Sequence, residues 1–127
     1  MKDDRDVALG WLRKADSDLA NAELCAAAGK SLDTACFHCQ QAAEKAIKAY
    51  LIANKAKFPL IHDLKRLLDD CSRLNSAFNA LAADALRLTP YAVATRYDDA
   101  FWPEIEEVQE ALNSARAIRL AVSVALR

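Results

Sequence analysis

Between Cys36 and Lys48 the chain reads Cys-Phe-His-Cys-Gln-Gln-Ala-Ala-Glu-Lys-Ala-Ile-Lys. On a helix, at 100° per residue, these residues divide into two unlike faces. His38, Gln41, Lys45 and Lys48 follow 3-4-3 spacing and line one side. Nearly opposite, Cys36, Cys39, Ala43, Ala46 and Tyr50 form a narrow, mostly small apolar stripe. A row of one imidazole, one amide and two ammonium groups suits an anion or a partner's carboxylates. The plainer alternative is a helix face that simply meets water.

The spacing Cys36-Phe37-His38-Cys39 invites a metal or redox reading, and helical geometry argues against both. The two thiols fall on the apolar stripe while His38 points to the other side, so the three cannot close on one ion. A structural zinc site also needs four ligands, and Cys25 and Cys71 form no second close pair. A redox pair sits at a helix start, where the dipole lowers a thiol pKa, whereas this one lies within an expected helix. The cysteines are therefore read as small core residues, and no metal or cofactor set is assigned. His62, the second of two histidines, lies near an expected helix start and is a further candidate. So is the segment Leu88–Asp99, read as a loop that places Tyr91, Arg96 and Tyr97 between helices. An arginine fork matches phosphate, and tyrosines can flank a base or ribose. The alternative is that the tyrosines plug the bundle end and Arg96 pairs with Asp98, Asp99 or the acidic last helix. No Gly-x-Ser-x-Gly elbow or phosphate loop is present, since the only glycines are Gly10 and Gly29. Asp69-Asp70 and Asp98-Asp99 are adjacent pairs, which do not face each other on a helix.

These residues need a scaffold, and the composition indicates which kind. The 127 residues suffice for one domain with one core. With 54% hydrophobic residues, only 2 Gly and 3 Pro, the long unbroken stretches read as helices. A net charge of −1 gives no overall nucleic-acid footprint. The charge is nevertheless segregated. Residues 44–66 carry six Lys or Arg against Glu44 and Asp63, a balance of +4, and residues 98–110 carry six acids and no base, a balance of −6. Such opposed blocks favour self-association or an oriented partner. The charged N-terminal residues do not read as a signal peptide, and no apolar run approaches the ~20 residues of a membrane span. A cytoplasmic protein with reduced thiols is expected.

A first helix is predicted over about Asp4–Ala28, with Gly29 as its stop. Ser31 or Asp33 is the expected cap of a second helix reaching about Asn54. A basic loop, Lys55–Lys57 with Phe58-Pro59, precedes a third helix that begins near His62-Asp63 and runs through Cys71. A fourth is expected over about Ser76–Leu88, Thr89–Asp99 is expected to be irregular, and a last helix runs from about Pro103 to the end. The fold class is all-α, an up-and-down bundle of four to five helices with the second at its centre.

The blocks Phe37-His38-Cys39-Gln40-Gln41-Ala42-Ala43-Glu44-Lys45-Ala46-Ile47-Lys48-Ala49, His62-Asp63-Leu64, Leu88-Thr89-Pro90-Tyr91 and Arg96-Tyr97-Asp98-Asp99, with Ala15–Ala22 ahead of them, resemble a HEPN domain over nearly the whole chain. The resemblance implies a four- or five-helix bundle that forms a homodimer. It implies a small nucleotidyltransferase as partner, commonly in toxin–antitoxin pairs, and either nucleotide binding or metal-independent ribonuclease activity. Two departures stand out. The ribonuclease branch uses an Arg four to six residues before a His, and neither His38 nor His62 has one. The loop block usually reads Arg-Tyr-Pro-Asp, and Asp98 stands in place of the proline. Three functions remain open: a binding module for a nucleotide or a nucleotidyltransferase, a ribonuclease using a histidine outside the usual motif, and a structural dimerisation module.

Overall fold

The computed structural model describes residues 2–127. Helix α1 spans Asp4–Ala28, opened by a capping box in which the Asp3 carboxylate accepts from the Asp6 amide. Gly29, at φ 66°, turns the chain out of it, as its position predicts. Helix α2 spans Leu32–Ala53. Ser31 occupies its cap position, but in a left-handed conformation (φ 54°) that makes no side-chain cap, so the expected serine cap does not form. Asp33 instead lies in the first turn, at the positive end of the helix dipole.

Helix α3, Leu64–Leu74, is capped by the Asp63 carboxylate, which accepts from the Lys65 and Arg66 amides. The single helix expected over Ser76–Leu88 is two: a 3₁₀ segment, Ser76–Leu81, then α4, Ala82–Leu88. The Asn75 side chain caps the tighter segment and Phe78 anchors it in the core. The irregular stretch expected over Thr89–Asp99 is largely helix α5, Tyr91–Tyr97. Pro90 sits just ahead of it, where a missing amide hydrogen does no harm, and its carbonyl accepts from Ala94 to close the first turn. Helix α6 spans Ile105–Ala125, with Glu104 at its cap position, close to the start expected around Pro103.

Helix α2 is the centre, packed by α1, α3, α5 and α6. Its alanines Ala42, Ala43, Ala46 and Ala49, with Cys36 and Cys39, are fully buried, and their small side chains let neighbouring helices approach closely. Ile47, Leu51, Leu64, Leu67, Leu68, Phe78, Leu88 and Ile118 fill the remaining core, and burying each contributes about 1.5–3 kcal/mol. No helix of the described residues is long and apolar enough to cross a membrane.

Candidate functional site: the polar face of α2

The row His38, Gln41, Lys45, Lys48 is not a uniform exposed surface. Asp18, on the core-facing side of α1, reaches across to α2 and accepts from His38 Nδ1 at 2.9 Å and from Lys45 Nζ at 2.6 Å. His38 and Lys45 are separated by two helical turns, about 10.5 Å of axis, and both side chains converge on this one carboxylate. A carboxylate only accepts, so His38 donates from Nδ1 and its Nε2 is left for another partner.

Gln41 turns away from Asp18 and donates to Gln40 Oε1 at 2.8 Å. Gln40, fully buried, donates in turn to Glu44 Oε1 at 2.9 Å. Glu44 also accepts from His62 Nδ1 at 2.8 Å and, through Oε2, from Lys48 Nζ at 3.2 Å. Lys48 is therefore buried in an ion pair and does not belong to an open row, and the segment before α3 brings His62 to the same carboxylate. Burial pushes the Glu44 carboxyl up, but the hydrogen bonds from Gln40 and His62 and the Lys48 charge outweigh it, and the net pKa lies below the usual 4.5.

The three residues expected on a loop lie on α5 and part company. Tyr91 is buried against Phe101 and its hydroxyl donates to Glu107 Oε2 at 2.6 Å. Burial, then that carboxylate, raises its pKa. It is a plug of the bundle end and not a ring open to a ligand. Tyr97 is exposed. Arg96 pairs with neither Asp98 nor Asp99. Its Nε and one terminal nitrogen donate to the Ala92 carbonyl at 3.0 and 2.7 Å. Its guanidinium carbon lies 5.4 Å from the centre of the Phe37 ring and 5.6 Å from that of Tyr97. Phe37 meets His38 edge to face at 5.8 Å, so Arg96 stands one ring away from the Asp18–His38 pair.

Three residues absent from the sequence-derived candidates organise the site: Asp18, Gln40 and Glu44. Each interrupts an apolar rhythm. Asp18 falls between Ala15 and Ala22, and Gln40 and Glu44 fall between Cys36 and Ile47. A carboxylate or amide at the edge of a core stripe needs a partner, and that requirement is visible in the spacing. Cys36 and Cys39 are buried in the core away from His38, and burial pushes both thiols, like Cys71, up to about 12. Among the described residues, no group of three or more His, Cys, Asp or Glu is placed to hold a metal ion.

Residues 8–124 match the family model of the HEPN domain. Among solved structures, TT1696 from Thermus thermophilus is 31% identical, with a TM-score of 0.81 over 91% of this chain and 95% of that one. ST0689, described as an archaeal HEPN homologue, is 24% identical over the full length of both chains with a TM-score of 0.77, and shares the fold. Comparison with curated proteins found no match. The order of the blocks along α1, α2, α3 and α5, and the match over nearly the whole length, make this chain a member of the HEPN domain family.

Proposed function

We propose that this chain is a binding module that takes a phosphate-bearing ligand, a nucleotide, across the outer face of α2. Arg96 carries the reading. Its guanidinium is exposed and steadied by the Ala92 carbonyl and two aromatic rings, and no carboxylate neutralises it. A fork of donors fixed in one geometry without a counter-ion is well matched to phosphate. Lys45 supplies a second cation, shared with Asp18, and His38 Nε2 a hydrogen-bonding group between them. From Phe37, beneath Arg96, to Lys45 is about 12 Å of helix, a span suited to a ribose with a short phosphate chain. Thermal unfolding with nucleoside mono-, di- and triphosphates tests the reading. A ligand at 100 times its dissociation constant stabilises by about 2.7 kcal/mol, and the absence of a shift with every nucleotide contradicts it.

A second reading, metal-independent RNA cleavage, is supported by the Asp18–His38 pair. A carboxylate on Nδ1 orients the imidazole and leaves Nε2 to accept or deliver a proton. Cleavage of a generic RNA that is lost in His38→Ala supports this reading, and cleavage unchanged by that substitution rules out His38 as the acid–base group.

Protein partners belong to the same proposal. The opposed charge blocks support a homodimer, and family membership supports a small nucleotidyltransferase partner in a toxin–antitoxin-like pair. Sedimentation at micromolar concentration should give the mass of two chains, and a strict monomer at all concentrations rejects the homodimer.

A further inference from the structure

On the α1 side of Lys45 a hollow of about 560 Å³ opens, within the range of small-ligand sites. Val7, Gly10, Trp11 and Lys14 of α1 line it, with Lys45 from α2 and Lys2. Gly10 is the unexpected member. It lies inside a 25-residue helix, where glycine costs stability relative to alanine. Packing does not require it, because a Cβ built there meets nothing within 4 Å. It has no positive φ to accommodate either, since Gly29 is the only glycine in that region. What Gly10 does is leave the helix backbone without a side chain beside Trp11, a residue that is 36% exposed. One carboxylate, Asp6, reaches the lining, and it is turned back toward the Asp3 amide in the capping box. An aromatic wall, a backbone position without a side chain and flanking ammonium groups suit a planar ring joined to an anion.

We infer that this hollow seats the base of the nucleotide, its ring stacked on Trp11 over Gly10, with the phosphates leading past Lys45 and His38 toward Arg96. The seat presupposes the anion-binding reading of the α2 face, because Lys45 is common to both. Trp102, the other tryptophan, is exposed and donates to the Asp99 carbonyl, so a Trp102→Phe protein reports on Trp11 alone.

The test is titration of that protein with the four common ribonucleoside triphosphates and, separately, with inorganic tripolyphosphate, following Trp11 emission and the heat of binding. At least one nucleotide should quench Trp11 and bind about tenfold more tightly than tripolyphosphate, the scale of one base–aromatic stack. Gly10→Ala should raise the melting temperature, weaken nucleotide binding about tenfold and leave tripolyphosphate binding unchanged. Nucleotides and tripolyphosphate binding equally, with Trp11 emission constant, overturn the base seat and leave the anion site standing. No binding of either kind overturns both.

Discussion

Two carboxylates anchor the polar side of α2, and each holds one histidine through Nδ1 and one lysine: Asp18 holds His38 and Lys45, Glu44 holds His62 and Lys48. The chemistry is the same and the setting is not. In the Asp18 group the His38 and Lys45 side chains keep 26% and 23% of their exposure. In the Glu44 group the ion pair is nearly closed off, at 6% for Glu44 and 11% for Lys48, and buried Gln40 fills a further acceptor site. The first group bridges α1 and α2 and leaves its histidine and lysine partly exposed. The second ties the segment before α3 to the central helix. Two polar clusters of one composition therefore differ in the burial of their carboxylate–lysine pair, and the histidines do not follow that order.

The largest expected effect breaks the buried group. Glu44→Ala leaves Lys48 buried without its partner and should cost about 3–5 kcal/mol of unfolding free energy, whereas Asp18→Ala, whose lysine can swing into water, should cost about 1 kcal/mol. Denaturant unfolding of both proteins decides it, and equal losses erase the distinction between the groups. The pH dependence sharpens the same point. The folded-state pKa of Glu44 is lowered, so its contribution is fully present above about 4.5 and is lost as pH falls through the lower folded value. Wild-type stability should fall more steeply than that of Glu44→Gln as pH drops below about 4.5. Parallel acid profiles for the two proteins would show that Glu44 is not held by its network.

A smaller effect concerns His62. Its side chain is 57% exposed and holds Glu44 through one nitrogen, so His62→Ala should cost about 1 kcal/mol and speed hydrogen exchange in residues 55–63. Unchanged exchange there would show that the loop is held by other contacts. The smallest is chemical. Cys36, Cys39 and Cys71 are buried, with thiols pushed up to about 12, while Cys25 is half-buried. In the native protein at neutral pH a thiol reagent should label Cys25 alone, and rapid labelling of Cys36 or Cys39 would contradict their place in the core.

The long elements are legible in the sequence because their signals are local. The apolar rhythm of α1, the stop at Gly29 and the small stripe of α2 are each written within one helix. Helix α5 is not, because Thr89-Pro90 reads as a break. In the fold Thr89 and Pro90 both keep right-handed helical dihedrals, and the chain passes from α4 into α5 with hardly a pause. The site is half legible. His38 and Lys45 stand out by type and spacing, but their partner lies 20 and 27 residues away on another helix, and no periodicity within α2 announces it. Lys48 reads as open in the sequence and is closed in the fold by Glu44, one turn back on α2, whereas Tyr91 takes the plug alternative because Glu107 of α6 holds its hydroxyl.

Arg96→Ala, measured for both unfolding and nucleotide affinity on one preparation, tests the account most directly. Arg96 is held by a backbone carbonyl and two ring faces and by no buried carboxylate. Its removal should therefore lower stability by no more than about 1 kcal/mol. It should also remove a charge-assisted contact of about 1.5–3 kcal/mol, weakening nucleotide binding roughly tenfold or more. A protein that binds nucleotide as tightly as wild type, or that loses several kcal/mol of stability instead, would show that Arg96 serves the fold and that the ligand site on α2 is not there.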